Sequence, residues 1–201
     1  MYVQVHGSFT GIRIGIALLK GLCFERNIEI VEMTSLENIF EIGLEEDINN
    51  IIYLSIIYAN NDQIYMGAYD NSFSDKGRKI VECAGNIEEC LEELYFKLNV
   101  NGYDFKKLNY NFMVIYDKDT KDQGKSLIKT IKEKIGEKIS GVEVEFKEVI
   151  VDNRGFDKRI KDINSGKYVL EDDEIKREYE IIPNYLKKSQ AKRLLEKNNK
   201  N

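Results

Sequence analysis

His6 is the single histidine among 201 residues, and it stands two positions before Ser8. A histidine beside a serine is the pair that acyl-transfer chemistry needs, one as base and the other as nucleophile. Here the two flank Gly7, where the strand-like run Tyr2-Val3-Gln4-Val5 gives way to a helical pattern. A serine at such a junction caps free backbone N–H groups, so the spacing reads as cap and neighbour. One histidine also leaves no paired-histidine metal site. Cys23, Cys83 and Cys90 form no Cys-x-x-Cys pair and read as small buried thiols of a reducing compartment. Asp117 and Asp119 flank Lys118. They can offer oxygen ligands to a cation, although a solvated turn is the simpler reading.

Gly7-Ser8-Phe9-Thr10-Gly11 invites a second chemistry. A glycine turn entering a helix binds anions, because free N–H groups and the helix dipole point outward together. The segment lacks both the lysine of a P-loop and the Gly-x-Gly-x-x-Gly spacing. Gly7, Gly11 and Gly15 instead recur every four residues, a side-chain-free stripe along one helical face. Each interior glycine costs about 1 kcal/mol relative to alanine, a cost offset only where something approaches the backbone closely. The segment is therefore expected to be a contact surface.

The elements that must position these residues alternate in type. Val3–Val5 reads as a strand end, Thr10–Glu25 as a helix and Glu29–Met33 as a short strand. Thr34 or Ser35 then caps a helix reaching about Ile42. Ile51–Tyr58 and Gln63–Tyr69 predict a hairpin across Asn60-Asn61. Ile87, Leu91, Leu94 and Leu98 recur at helical spacing. Tyr110–Tyr116 is a compact strand, Lys125–Ile139 a helix, Val142–Val151 an alternating strand and Phe156–Ser165 a further helix. The order is mixed α/β. A hydrophobic fraction of 42% and a net charge of −5 describe an ordinary water-soluble chain. No apolar run approaches the roughly 20 residues of a membrane span, so a cytoplasmic protein without membrane contact is expected. From Tyr185 onward, Lys187, Lys188, Lys192, Arg193, Lys197 and Lys200 face Glu196 alone. This tail can meet RNA or can be a solvated helix end suited to the dipole.

Three segments carry a resemblance. The run Gly7-Ser8-Phe9-Thr10-Gly11-Ile12-Arg13-Ile14-Gly15, with Lys20-Gly21 behind it, is similar to the signature of the TsaB (YeaZ) family. Ser55–Asp70 resembles that family's second-lobe hairpin, and Pro183-Asn184-Tyr185-Leu186-Lys187-Lys188-Ser189-Gln190-Ala191 its closing element. The resemblance implies an actin-like (ASKHA, RNase H-like) two-lobed α/β fold with a truncated first lobe. It implies residues 1–38 as the remnant of the N-terminal lobe, 39–182 as an RNase H-like C-terminal lobe and 183–201 as a basic helical tail. The family's first strand, with its acidic residue, and an amphipathic helix would precede Met1. Their lack here implies a start placed at an internal methionine, a shortened paralogue or a fragment.

By resemblance the chain is a non-catalytic scaffold of the bacterial machinery that makes threonylcarbamoyladenosine (t6A) in tRNA. It needs no cofactor or metal of its own. Its partners would be a TsaD-type catalytic subunit and a TsaE-type ATPase, with tRNA reached indirectly through the complex. Gly11, Gly15, Ala17 and Gly21 would admit a partner helix, and Ile12, Ile16 and Leu19 would fill the seam. Arg13 and Lys20 would pair with partner carboxylates. The same helix could instead pack only within its own lobe, or join two copies in a homodimer. The sequence departs from the family pattern at Val5-His6, where the family has Gly-Pro, and at Tyr58-Ala59-Asn60, where it has Asp-Ala-Arg. An actin-like nucleotide-binding or phosphotransferase domain is the alternative from another class, and a peptidase finds no catalytic constellation.

Overall fold

The computed structural model describes residues 9–26, 28, 30–45, 50–59, 63–71, 78–103, 110–118, 124–139, 141–170, 175–176 and 180–182. The strand expected at Val3–Val5, His6, Ser8, Asp119, the closing motif and the basic tail lie outside the described residues. The chain divides into two compact units. The first comprises Met1–Met33 and Val169–Tyr185, the second Thr34–Tyr168 and Leu186–Asn201. The boundary expected between residues 38 and 39 falls inside a helix of the second unit.

The second unit is built on a five-stranded sheet. Its strands are β2 (Ile51–Tyr58), β3 (Gln63–Asp70), β4 (Arg78–Asn86), β5 (Asn111–Asp117) and β6 (Val144–Val149), in the order β4-β3-β2-β5-β6. The run Ile51-Ile52-Tyr53-Leu54-Ser55-Ile56 is buried throughout, as befits a central strand covered on both faces. Its residues alternate between two cores. Ile52, Leu54 and Ile56 meet α3 (Ile87–Val100) and α4 (Gly124–Lys138) through Cys90, Leu91, Leu94, Leu98, Ile131 and Ile135. Ile51 and Tyr53 meet α2 (Ser35–Gly43) through Leu36, Ile39 and Phe40. The helix α5 (Arg154–Ser165) packs in turn on α2.

β2 pairs antiparallel with β3 and parallel with β5, Ile51 opposite Asn111 and Tyr53 opposite Tyr69. β3 pairs antiparallel with β4, with a bulge between Ala68 and Tyr69, and β5 pairs parallel with β6. Local chemistry sets the helix starts. Thr34 and Asn86 each form a reciprocal capping box, Thr34 with Glu37 and Asn86 with Glu89. α5 ends at Gly166, whose φ of 74° is the left-handed conformation that a glycine adopts freely.

The first unit is smaller. It holds α1 (Phe9–Cys23), β1 (Ile30–Val31) and β7 (Ile175–Lys176), the two strands antiparallel with Ile30 opposite Lys176. Among the described residues, its core is formed by Leu19, Cys23, Ile30 and Ile181, with Ile16 and Ile28 packed beside them. Lys176 closes the strand pair onto Glu32 at 2.5 Å.

Candidate interaction surface

α1 spans Phe9–Cys23, close to the helix expected from Thr10 to Glu25. Among the residues expected at a partner seam, Leu19 is 7% exposed and lies in the unit's own core. Ile16 is half-buried and packs against that core. Gly11, Ile12, Gly15 and Lys20 are half-buried, while Arg13, Ala17 and Gly21 are exposed. A methyl group added at Gly21 would meet nothing within 4 Å.

The apolar residues that α1 turns outward are Ile14, Leu18 and Leu22, at 64%, 59% and 37% exposure, followed by Phe24 at 63%. Ile14, Leu18 and Leu22 recur every four residues, so they form one ridge along the helix. A helix that is apolar on two faces has used one on its own core, and the other is unaccounted for. Ile12, Ile16 and Leu19 are the residues expected to fill the seam. The four-residue repeat from Ile14 was present in the same run, and burial distinguishes the two faces.

Elsewhere, the polar side chains that could do chemistry are drawn into networks. On the α2 side of the sheet, the Thr34 and Tyr69 hydroxyls donate to Glu82 Oε1 at 2.6 and 2.8 Å. Lys79 Nζ stands 3.3 Å from Glu37 Oε1 and 3.8 Å from Glu82 Oε2. Gly67 permits this arrangement, because a Cβ there would lie 2.5 Å from the Tyr69 hydroxyl. Burial pushes the Tyr69 phenol well above its ordinary value, and the carboxylates of Glu82 and Glu37 push it further. Burial lowers the Lys79 ammonium, but Glu37 and Glu82 outweigh it and leave the pKa raised. The cluster thus holds a neutral phenol and a cation between two acids, an arrangement that locks α2 to β4.

One helical turn further along, Arg159 donates to Glu41 Oε1 from Nε at 2.8 Å and from Nη2 at 2.5 Å. Lys158 Nζ lies 3.7 Å from Glu41 Oε2, and the guanidinium stacks 4.2 Å over the Tyr168 ring. Asp70, fully buried, accepts the Tyr103 hydroxyl at 2.7 Å and the Tyr110 hydroxyl at 3.4 Å. Cys23, Cys83 and Cys90 are buried free thiols. Hydrogen bonding to Cys90 and then burial push the Cys83 thiol upward, which disfavours the nucleophilic thiolate. Asp117, expected as a cation ligand or a turn residue, is the half-buried last residue of β5. No group of three or more His, Cys, Asp or Glu able to hold a metal occurs among the described residues. A recess between β2, β5 and α4 is lined by Ile56, Tyr58, Val114, Tyr116 and Leu127, with no charged side chain. No described helix is long and apolar enough to cross a membrane.

These features define a mixed α/β protein with helices on both faces of a five-stranded sheet and an apolar ridge on its first helix. The fold is shared with a solved structure, an uncharacterized protein with similarity to peptidase YEAZ from Pseudomonas aeruginosa. The two superpose with a TM-score of 0.51 at 15% identity, over 90% of this chain and 70% of that chain. At that identity the likeness concerns the fold alone. No family model and no curated protein matches the sequence.

Proposed function

We propose that this chain is a TsaB (YeaZ)-type protein, a non-catalytic scaffold that docks a TsaD-type catalytic subunit through α1. The observation that carries this reading is the ridge Ile14–Leu18–Leu22, left outside on a helix whose other face already packs through Leu19 and Cys23 on Ile30 and Ile181. The motif resemblance around Gly7–Gly15 and the fold shared with a YeaZ-like structure support it. So does the sheet order β4-β3-β2-β5-β6, in which only β3 opposes the other strands, an order expected of an RNase H-like lobe. In this reading a TsaE-type ATPase joins the complex and tRNA is met through it. The protein works in the cytoplasm without a cofactor, and a two-lobed actin-like arrangement follows from the family.

The test is co-purification with the TsaD-type subunit, comparing the wild type with Leu18→Glu. A carboxylate at a position 59% exposed leaves the monomer folded and places a charge in the seam. Binding should weaken at least about tenfold, the equivalent of 1.4 kcal/mol. Equal binding by both chains refutes a seam built on this ridge. A homodimer would use the same ridge, and sedimentation of the chain alone distinguishes it: a dimer that Leu18→Glu dissolves, with no capture of the TsaD-type subunit, favours self-association.

A further inference from the structure

Among the described residues, the chain passes between the two units at Met33–Thr34 and again at Tyr168–Val169. Both passages reach the second unit beside α2. At the first, Thr34 donates its backbone N–H to Glu37 Oε2 at 2.6 Å, and its hydroxyl accepts from the Glu37 N–H at 3.1 Å while donating to Glu82. At the second, Tyr168 is 7% exposed, lies beneath the Arg159 guanidinium, and donates its N–H to Asp162 O at 2.9 Å. Arg159 is held in turn by both of its bonds to Glu41. Glu37 and Glu41 are four residues apart on α2 and so occupy the same face.

We propose that α2 is a double anchor: Glu37 fixes the chain at Thr34, Glu41 fixes it at Tyr168 through Arg159, and together they set how readily each passage opens. The physical basis is the cost of disturbing a buried charge. Glu41 and Arg159 have side chains 5% and 10% exposed, and removing one partner leaves the other charged in a dry environment. Arg159 then gives up its fixed position over Tyr168. Glu37 acts more locally, because it closes the capping box that makes Thr34 the N-cap of α2. The anchors lie within the second unit, so local opening at the passages is separable from opening of the sheet.

The test is amide hydrogen exchange on the full chain, read at the Thr34 and Tyr168 amides with Leu54 and Val114 as sheet references. Glu37→Ala should speed exchange at Thr34, and Glu41→Gln at Tyr168, each at least about tenfold, with the references unchanged. Arg159→Lys keeps a cation opposite Glu41 but loses the planar stack, and should speed Tyr168 alone. Unchanged exchange at Tyr168 in both Glu41→Gln and Arg159→Lys overturns the proposal. If Glu41→Gln also opens the sheet, Arg159→Lys decides: a selective effect at Tyr168 sustains the anchor, and a uniform one refutes it.

Discussion

At the scale of single residues, the strongest constraints join positions far apart in sequence. Replacing Arg159 by Met takes both hydrogen bonds from buried Glu41 and leaves it only the Lys158 ammonium at 3.7 Å, which is expected to cost about 3 kcal/mol in urea unfolding. Gly67→Ala drives a methyl group into the Tyr69 hydroxyl and should cost about 1–3 kcal/mol through repacking, whereas Gly136→Ala, with open space around it, should stabilise α4 by about 0.5–1 kcal/mol. A pH dependence follows from the phenols. Burial, followed by the Glu137 carboxylate, pushes Tyr95 up to about 12, against about 10 in an unfolded chain. Between these values the unfolded chain has lost a proton that the folded chain retains, so stability falls as pH rises. The contribution is complete below pH 10 and gone above about 12. Unfolding free energies at either end of that window should differ less in Tyr95→Phe than in the wild type. Little of this was legible beforehand. The Thr34 cap could be read because its partner Glu37 is local. Glu41 and Arg159 meet only after α2 and α5 have packed, and nothing in their neighbouring residues signals it.

At the scale of elements, the apolar periodicities identified most of the fold. The hairpin of β2 and β3, the helices α2, α3 and α4, and the strands β5 and β6 lie where alternation or helical spacing placed them, to within a few residues. β4 escaped. Its sequence, Arg78-Lys79-Ile80-Val81-Glu82-Cys83-Ala84-Gly85-Asn86, sets small and charged residues where an amphipathic strand would show bulky ones. Glu82 is nevertheless taken inward by the Thr34 and Tyr69 hydroxyls, so pairing with β3 overrides weak local preference. β7 is too short to leave a pattern. Asn86→Ala, which removes the acceptor for the Glu89 N–H, should lower thermal stability by the equivalent of about 1 kcal/mol. On α1 the sequence marked the helix and its small residues, but amphipathicity on two sides could not say which apolar stripe faced its own core.

At the scale of the whole molecule, the two units differ in the depth of their cores. Among the described residues, the first rests on four buried apolar side chains, and burying one such side chain contributes about 1.5–3 kcal/mol before entropy is counted. Amides of α1 are therefore expected to exchange well before those of β2 and β5, and adding a partner that covers the ridge should slow them. The sheet has a further consequence, for biosynthesis. β2 finds β3 and then β4 through neighbouring stretches of chain, but its other edge waits for β5, whose Asn111 pairs with Ile51 only after α3 has been made. A nascent chain halted after Val100 carries an apolar strand with one row of backbone donors and acceptors open to any similar edge. Such a truncated chain should accumulate in the insoluble fraction, and extension past Asp117 should return it to solution. The protein's hazard in the cell is thus concentrated in the interval between translating β2 and releasing β5.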